Sequence, residues 1–293
     1  MYCPKCKRLV EDNSVFCEYC GYKLRKSKWP WIGIVLGCAI LVIVALILFI
    51  SSNGSGKKDD DECVFTIGDA SFTMKKVNGG SFLMGASEYD SEAKAWEKPA
   101  HMVTLDSYYI GETEVTQKLW KQIMGYNPSA HVGDEYPVDK VSWNDCVDFC
   151  HRLSLKTGRN FRLLTEAEWE FAARGGNLSK GYRFSGSNYL EDVAWSLECS
   201  DSIAHPVKLK QPNELGLYDM TGNAWEIVSD LYARYSGETE NNPQGPSTSE
   251  KGRVRRGGSW LNRANYSRIT YRYYTPHGLS NDFLGFRLAM DCE

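Results

Sequence analysis

A loop-rich α/β domain, carried behind a small cysteine-bound module and a membrane-crossing helix, is the architecture this chain predicts, and three observations predict it. Past residue 62 the apolar residues come in short strings broken by Gly, Pro, Asn and Ser, and only three segments keep a helical period. Residues 29–50 carry no charge. The first 24 residues hold four cysteines in two Cys-x-x-Cys pairs. With 293 residues and 42% hydrophobic content, the chain has material for one large or two medium globular domains.

The N-terminal module comes first. Cys3, Cys6, Cys17 and Cys20 form "CPKC" and "CEYC" separated by ten residues, which sets four thiolates on two tight turns able to close a tetrahedron around Zn²⁺. Two small disulfides are the competing reading. A module of about 24 residues cannot fold on its own apolar surface, and a reducing compartment disfavours disulfides, so zinc supplies the folding energy. The segment 1–24 resembles the short zinc ribbons at the N-termini of many bacterial membrane proteins. Its site is closed and four-coordinate, hence structural, and a cytoplasmic partner for the ribbon is an open possibility.

The run "WPWIGIVLGCAILVIVALILFI", residues 29–50, is 22 residues long. At about 1.5 Å per residue it covers the roughly 30 Å of a bilayer core. A cleaved signal peptide would have a shorter apolar stretch and would not follow a cysteine-patterned module. Residues 1–28 carry a net +4, leaving −7 for the remainder, and Lys23, Arg25, Lys26 and Lys28 flank the run on its N-terminal side. The expected topology is a single span of a bacterial cytoplasmic membrane, the ribbon in the cytoplasm and residues 63–293 outside. Residues 51–62, "SSNGSGKKDDDE", read as a flexible linker. Cys38 lies in the span as a small apolar residue. Cys63, Cys146, Cys150, Cys199 and Cys292 lie where disulfides are permitted, and their pairing stays open. Cys146 and Cys150, one helical turn apart, are alternatively two buried apolar residues.

Three helices are predicted in the large domain. "TQKLWKQIMG" starts at a Thr116 cap and stops at Gly125; "SWNDCVDFCHRLSLKTG" starts at Ser142; "TEAEWEFAARGG" carries a Thr165/Glu168 capping box and a Gly175 stop. In "LYDMTGNAWEIVSD", Asp219 and Glu226 bracket a turn whose carbonyls at Gly222 and Ala224 complete an oxygen set suited to Ca²⁺. The same residues admit a second reading, with Asn223 and Glu226 spaced as a helix N-cap and its N3 partner.

"VNGGSFLMG", "IGETEVTQKLW", "PVDKVSWNDCVDFC", "RLLTEAEWEFAARGG", "NELGLYDMTGNAWE", "RRGGSW" and "LGFRLA" follow one another in the order and spacing of the formylglycine-generating enzyme family, the sulfatase-modifying factors, which this chain resembles over residues 72–290. The resemblance implies a compact, loop-rich α/β fold of the C-type lectin-like kind with structural calcium. It assigns one calcium site to Asp219, Gly222, Ala224 and Glu226 and places Glu114 on a further acidic position. A second family site has no counterpart in "VAWSLECSDSIAHPV" and is expected to be missing or rebuilt.

Family members oxidise a substrate cysteine with Cu(I) held by two cysteines, and aligned on "GGSW" those positions fall on Asn262 and Ser267. An amide and a hydroxyl are hard and neutral and do not replace thiolates on Cu(I), so copper and the oxidase chemistry are expected to be absent. The five histidines are dispersed, and no Gly-x-Ser-x-Gly elbow or phosphate-cradling loop is present. Trp225, Ser259, Trp260, Asn262, Tyr266, Tyr271, Tyr273 and Tyr274 instead read as a polar and aromatic recognition surface. Three functions stay open. One is an extracytoplasmic domain binding or sensing a peptide, glycan or protein, with no nucleic-acid role. Another is an enzyme of the same family with different chemistry. The third is a lectin-like variable protein of a diversity-generating retroelement.

Overall fold

From Glu62 more and less exposed side chains alternate along β1 (Glu62–Ile67), the period-two mark of a strand, and β2 (Ala70–Val77) pairs with it antiparallel, burying Ala70, Met74 and Val77. The computed structural model describes residues 1–10, 16–20, 24 and 61–292. It divides into two units, Met1–Asp59 and Asp60–Glu293. The membrane helix expected over 29–50, and the linker up to residue 60, lie outside the described residues. Among the described residues no helix is long and apolar enough to cross a membrane.

The large unit continues with β3 (Gly80–Met84), β4 (His101–Leu105), β5 (Tyr108–Gly111), α1 (Gln117–Met124), α2 (Trp143–Thr157), β6 (Phe161–Leu163), α3 (Glu166–Ala173) and α4 (Leu190–Val193). It ends with β7 (Ala194–Trp195), β8 (Thr221–Gly222), β9 (Trp225–Leu231), β10 (Glu240–Asn241), β11 (Arg253–Arg256), β12 (Arg272–Thr275), β13 (Leu284–Phe286) and β14 (Leu288–Asp291). One sheet runs β1-β2-β5-β14-β6, so the last strand lies inside it and ties the C-terminal segment to the start of the domain. A four-stranded sheet, β12-β11-β9-β13, carries the segments on which the functional question turns.

The three expected helices form where their caps place them. Thr116 accepts from Leu119 N and Gly125 closes α1 at φ 81; Ser142 and Asp145 make a capping box, with Gly158 ending α2. Thr165 and Glu168 cap α3, which ends at Arg174, one residue before the expected Gly175. Every residue of α3 is buried, so it is the central post of the domain. Cys146 and Cys150 sit on the core face of α2, near the stacked Trp120 and Phe149 rings. No disulfide joins the described cysteines, and burial pushes the Cys150 thiol up to about 12, so these two behave as apolar filling.

The interior is also held by buried ion pairs: Arg256 with Glu170, Arg272 with Glu166, Arg268 with Glu97 and Arg287 with Glu226. Such pairs contribute little net stability over an apolar substitute, but breaking one strands a charge at a cost of about 3–5 kcal/mol.

Candidate functional site

In the ribbon, the Cys3 and Cys20 sulfurs are 3.7 Å apart and those of Cys6 and Cys17 3.5 Å, with all four ligand atoms within 4.8 Å of one another. Four thiolates about 2.3 Å from one central zinc lie about 3.8 Å apart, so the set is already closed to the right size. The backbone does this: Cys3 N donates to Arg8 O and Lys7 N to Cys3 O, curling the first knuckle. Burial pushes the Cys3 thiol up, but N–H groups of Cys6 and Lys5 and the neighbouring thiols bring it to about 6, toward the thiolate a metal needs. Cys17→Ser should release zinc measured by metal analysis and unfold the ribbon; unchanged zinc content would refute this ligand set.

The strip after β11 turns on Gly257 and Gly258, both at positive φ. A Cβ on Gly258 would lie 2.3 Å from Ser267 Oγ, so the turn and the serine are packed directly together. Ser267 is 1% exposed and its hydroxyl has no partner. Asn262 Oδ1 accepts from Trp225 Nε1 and from Ser259 Oγ, each at 2.7 Å. The amide is therefore a bracket between β9 and the glycine turn. Trp225, Ser259, Trp260 and Tyr271 are buried, which removes them from the recognition surface expected from the sequence. The polar tips of Trp225, Ser259 and Trp260 are spent internally, Trp225 Nε1 and Ser259 Oγ on Asn262 and Trp260 Nε1 donating to Asp282 O at 3.2 Å. Asn262, Tyr266, Tyr273 and Tyr274 keep partial exposure.

The oxygen set divides. Both Glu226 oxygens are taken, by Arg287 and by Trp169 Nε1 at 2.8 Å. They are not free for a cation, so the four-ligand set does not fit as the resemblance drew it. The cap reading fails too, because Trp225–Leu231 is a strand paired with β11 and β13, not a helix. Asp219 Oδ2 accepts from Lys208 N, while Asp219 Oδ1 and both Glu114 oxygens are buried without a partner. Burial, reinforced by the Asp219 charge, pushes Glu114 well above the carboxylate range, and burial raises Asp219 to about 6. Unmatched hard oxygens of this kind suit Ca²⁺. Among the described residues, the ribbon cysteines are the group of three or more Cys, His, Asp or Glu ligand atoms lying within 4.8 Å of one another.

A cavity of about 510 Å³ lies against His101, Glu166, Asp230, Tyr235 and Arg272. Its acids are internally engaged: Glu166 with Arg272, and Asp230 Oδ2 with Glu166 N and Ser229 Oγ. Burial, then the Glu166 charge, raises Asp230 to about 7. A carboxyl raised in the fold is protonated more readily there than in the unfolded chain, so stability falls as pH rises from about 4 through about 7. Asp230→Asn should flatten that decline in urea titrations between pH 5 and 8; an unchanged slope would exclude Asp230 as its source.

Residues 70–292 match the sulfatase-modifying factor enzyme 1-like domain, and residues 2–24 match a zinc-ribbon domain. The chain belongs to the sulfatase-modifying factor family. Chaperone protein LppX of Paenibacillus barcinonensis is 31% identical over 257 residues, covering 70% of this chain and 85% of that protein. Formylglycine-generating enzyme of Mus musculus is 35% identical over 59% of this chain, which spans 49% of that enzyme's length. Among solved structures, Treponema denticola variable protein 1 superposes with a TM-score of 0.73 at 33% identity, covering 79% of this chain and 99% of that one. This family member therefore carries an amide and a hydroxyl, at Asn262 and Ser267, within a strip packed by the glycine turn.

Proposed function

We propose that residues 63–293 are an extracytoplasmic binding domain of this family without copper oxidase chemistry, anchored by residues 29–50 and joined to a cytoplasmic zinc ribbon. The observation that carries the reading is the state of the two family copper positions. Asn262 is spent on Trp225 and Ser259, and Ser267 is buried, so neither supplies the soft sulfur that Cu(I) selects. A partner-binding role agrees with the chaperone name carried by the Paenibacillus relative. The test has two arms. Protease added outside cells stripped of any outer membrane should digest the large domain and spare the ribbon, and the purified chain should leave Cys-x-Pro-x-Arg peptides unoxidised in air with copper supplied. A protected large domain would overturn the topology, and formylglycine in the product would overturn the loss of chemistry.

The likeness to Treponema denticola variable protein 1 favours a second reading, a lectin-like domain whose C-terminal strip is diversified. A second genomic copy of the segment differing at adenines, beside a reverse transcriptase, would establish it.

Calcium belongs to the proposal through Glu114 and Asp219, with the carbonyls of Gly222 and Ala224 as further donors. Bound to the folded state alone, at about a hundred times its dissociation constant, it adds about 2.7 kcal/mol, which for about 230 residues raises Tm by roughly 5–10 °C. Glu114→Gln with Asp219→Asn should remove the shift and leave the calcium-free protein about as stable, since three buried carboxylate oxygens without partners are gone. A full calcium response in that variant would place the ion elsewhere.

A further inference from the structure

We propose that Arg253 and Arg255 form a two-cation subsite for an extended acidic peptide, one whose alternate side chains are Asp or Glu. This deepens the binding-domain reading and rests on it.

The first observation is an unequal treatment of arginines within one strand. Along β11, Val254 and Arg256 point into the core while Arg253 and Arg255 share the other face. Arg256 is neutralised by Glu170, and Arg162, Arg174, Arg268, Arg272 and Arg287 each have a carboxylate as well. Arg253 and Arg255 form no ion pair with any described residue, although both are half-buried. Arg253 lies over the Trp143 ring at 3.7 Å, and Arg255 is packed by Trp225, Tyr273 and Phe283 at 4.8, 5.2 and 5.8 Å. Burial lowers the pKa of both guanidinium groups. The rings and the Ser229 carbonyl repay part of the cost of holding each guanidinium partly out of water, but neither cation meets a carboxylate as the other arginines do.

The second observation is independent. Arg253 lines a small cavity of about 100 Å³ together with Trp143, Thr275 and His277. Three polar atoms of that wall are buried without partners: Arg253 Nε, Trp143 Nε1 and Thr275 Oγ1. Thr275 is 3% exposed and faces Arg253 across the β11–β12 register. The two nitrogens are donors only and the hydroxyl can donate, so the complement is an acceptor. Beside a cation that makes no ion pair and feels a carboxylate only at longer range, from Asp230, an anionic acceptor is the better complement, and a carboxylate is small enough for the space. Arg253 Nη1 already donates to Ser229 O, which fixes the fork with Nε left over.

Spacing selects the form of the ligand. Arg253 and Arg255 are two residues apart on one strand, about 6.6 Å, the same interval that separates alternate side chains of an extended peptide. β12 is the edge strand of its sheet, so a chain can lie along this side of the domain without displacing a strand. Tyr273, opposite Arg255, and the partly exposed Phe283 add ring surface beside the Arg255 charge, as Trp143 does beside Arg253. A phosphate polymer is disfavoured, because two cations on a chain of net charge −3 give little of the electrostatic contact such polymers require.

The test uses the full chain in detergent micelles and an array of fluorescent peptides of pattern acidic-x-acidic, each beside its Asn/Gln twin. At least one acidic peptide should bind about tenfold or more tightly than its amide twin and weaken as salt rises. Arg253→Gln and Arg255→Gln should each cost about tenfold, and the pair should abolish binding. Tm is read beside binding: losing the ring contacts and the Ser229 bond should lower it by only a few degrees, so the binding loss is measured on protein that is still folded. If a glutamine variant fails to fold, Arg253→Lys with Arg255→Lys keeps both charges and should retain salt-sensitive binding of the acidic peptide over its twin. Equal binding of acidic and amide twins, no acidic peptide bound by the folded wild type, or indifference to the double variant would overturn the subsite. So would heparin, oligonucleotide or free phosphate binding as tightly as the peptide. Ligand capture that ignores both arginines would sink the subsite while sparing the binding-domain reading; formylglycine production would sink that reading itself.

Discussion

Glu226→Ala should lower the melting temperature of the large domain by roughly 10 °C, and by the same amount with calcium chelated. Glu226 and Arg287 have side-chain exposures of 1% and 0%, and the carboxylate receives both the guanidinium and the Trp169 indole N–H. Deleting it strands a charge and a donor in the interior, where breaking such a pair costs about 3–5 kcal/mol and each kcal/mol moves Tm by about 2–4 °C at this size. Arg287, between β13 and β14, also reaches the carbonyls of Gly111 and Tyr218, so the pair pins β5, β9, the segment before β8 and the β13–β14 junction to one point. Glu226→Ala with Arg287→Met should recover part of the loss, because the stranded charge goes with its partner. A loss seen only when calcium is present would instead make Glu226 a ligand, and the oxygen set drawn from the resemblance would stand.

That carboxylate shows where the sequence was legible and where it was not. Thr116, Ser142 and Thr165 are legible as three helix starts because a capping residue stands before each periodic run, Thr165 with its Glu168 partner, and the helices begin there. Glu226 could not be read that way. Asn223 and Glu226 have cap spacing, yet the segment is a strand because β11 and β13 pair with it from either side, and its acid meets an arginine 61 residues further on. Arg256 and Arg272 likewise find Glu170 and Glu166 at separations of 86 and 106 residues, distances over which no local pattern operates. The aromatic strip was legible as composition and not as surface. Trp225 and Trp260 look the same in a string whether their indole N–H meets a ligand or, as here, Asn262 and Asp282. Arg253 and Arg255 are illegible in the sequence for the converse reason, since only the fold shows which arginines of "RVRR" make no ion pair.

Asn262→Cys with Ser267→Cys should convert a chain that holds no Cu(I) at those positions into one that binds it tightly, read by titration against a chromogenic Cu(I) chelator. Two thiolates form the soft pair Cu(I) selects, and they would occupy the two positions that the family resemblance gives to copper. The two substitutions differ in cost. Ser267 is buried with its hydroxyl unpartnered, so a thiol of similar shape there relieves an unmatched polar group and should be close to neutral. Asn262 accepts from Trp225 Nε1 and Ser259 Oγ, so its loss leaves a buried indole donor unsatisfied at about 1–3 kcal/mol. The single Asn262→Cys variant should thus be the less stable of the two, and Cu(I) should restore stability only to the double variant. Turnover of cysteine peptides should remain poor, because copper supplies the oxidising centre without the substrate alignment on which rate depends. Failure of the folded double variant to bind Cu(I) would show that residues 262 and 267 are not the copper positions of this strip.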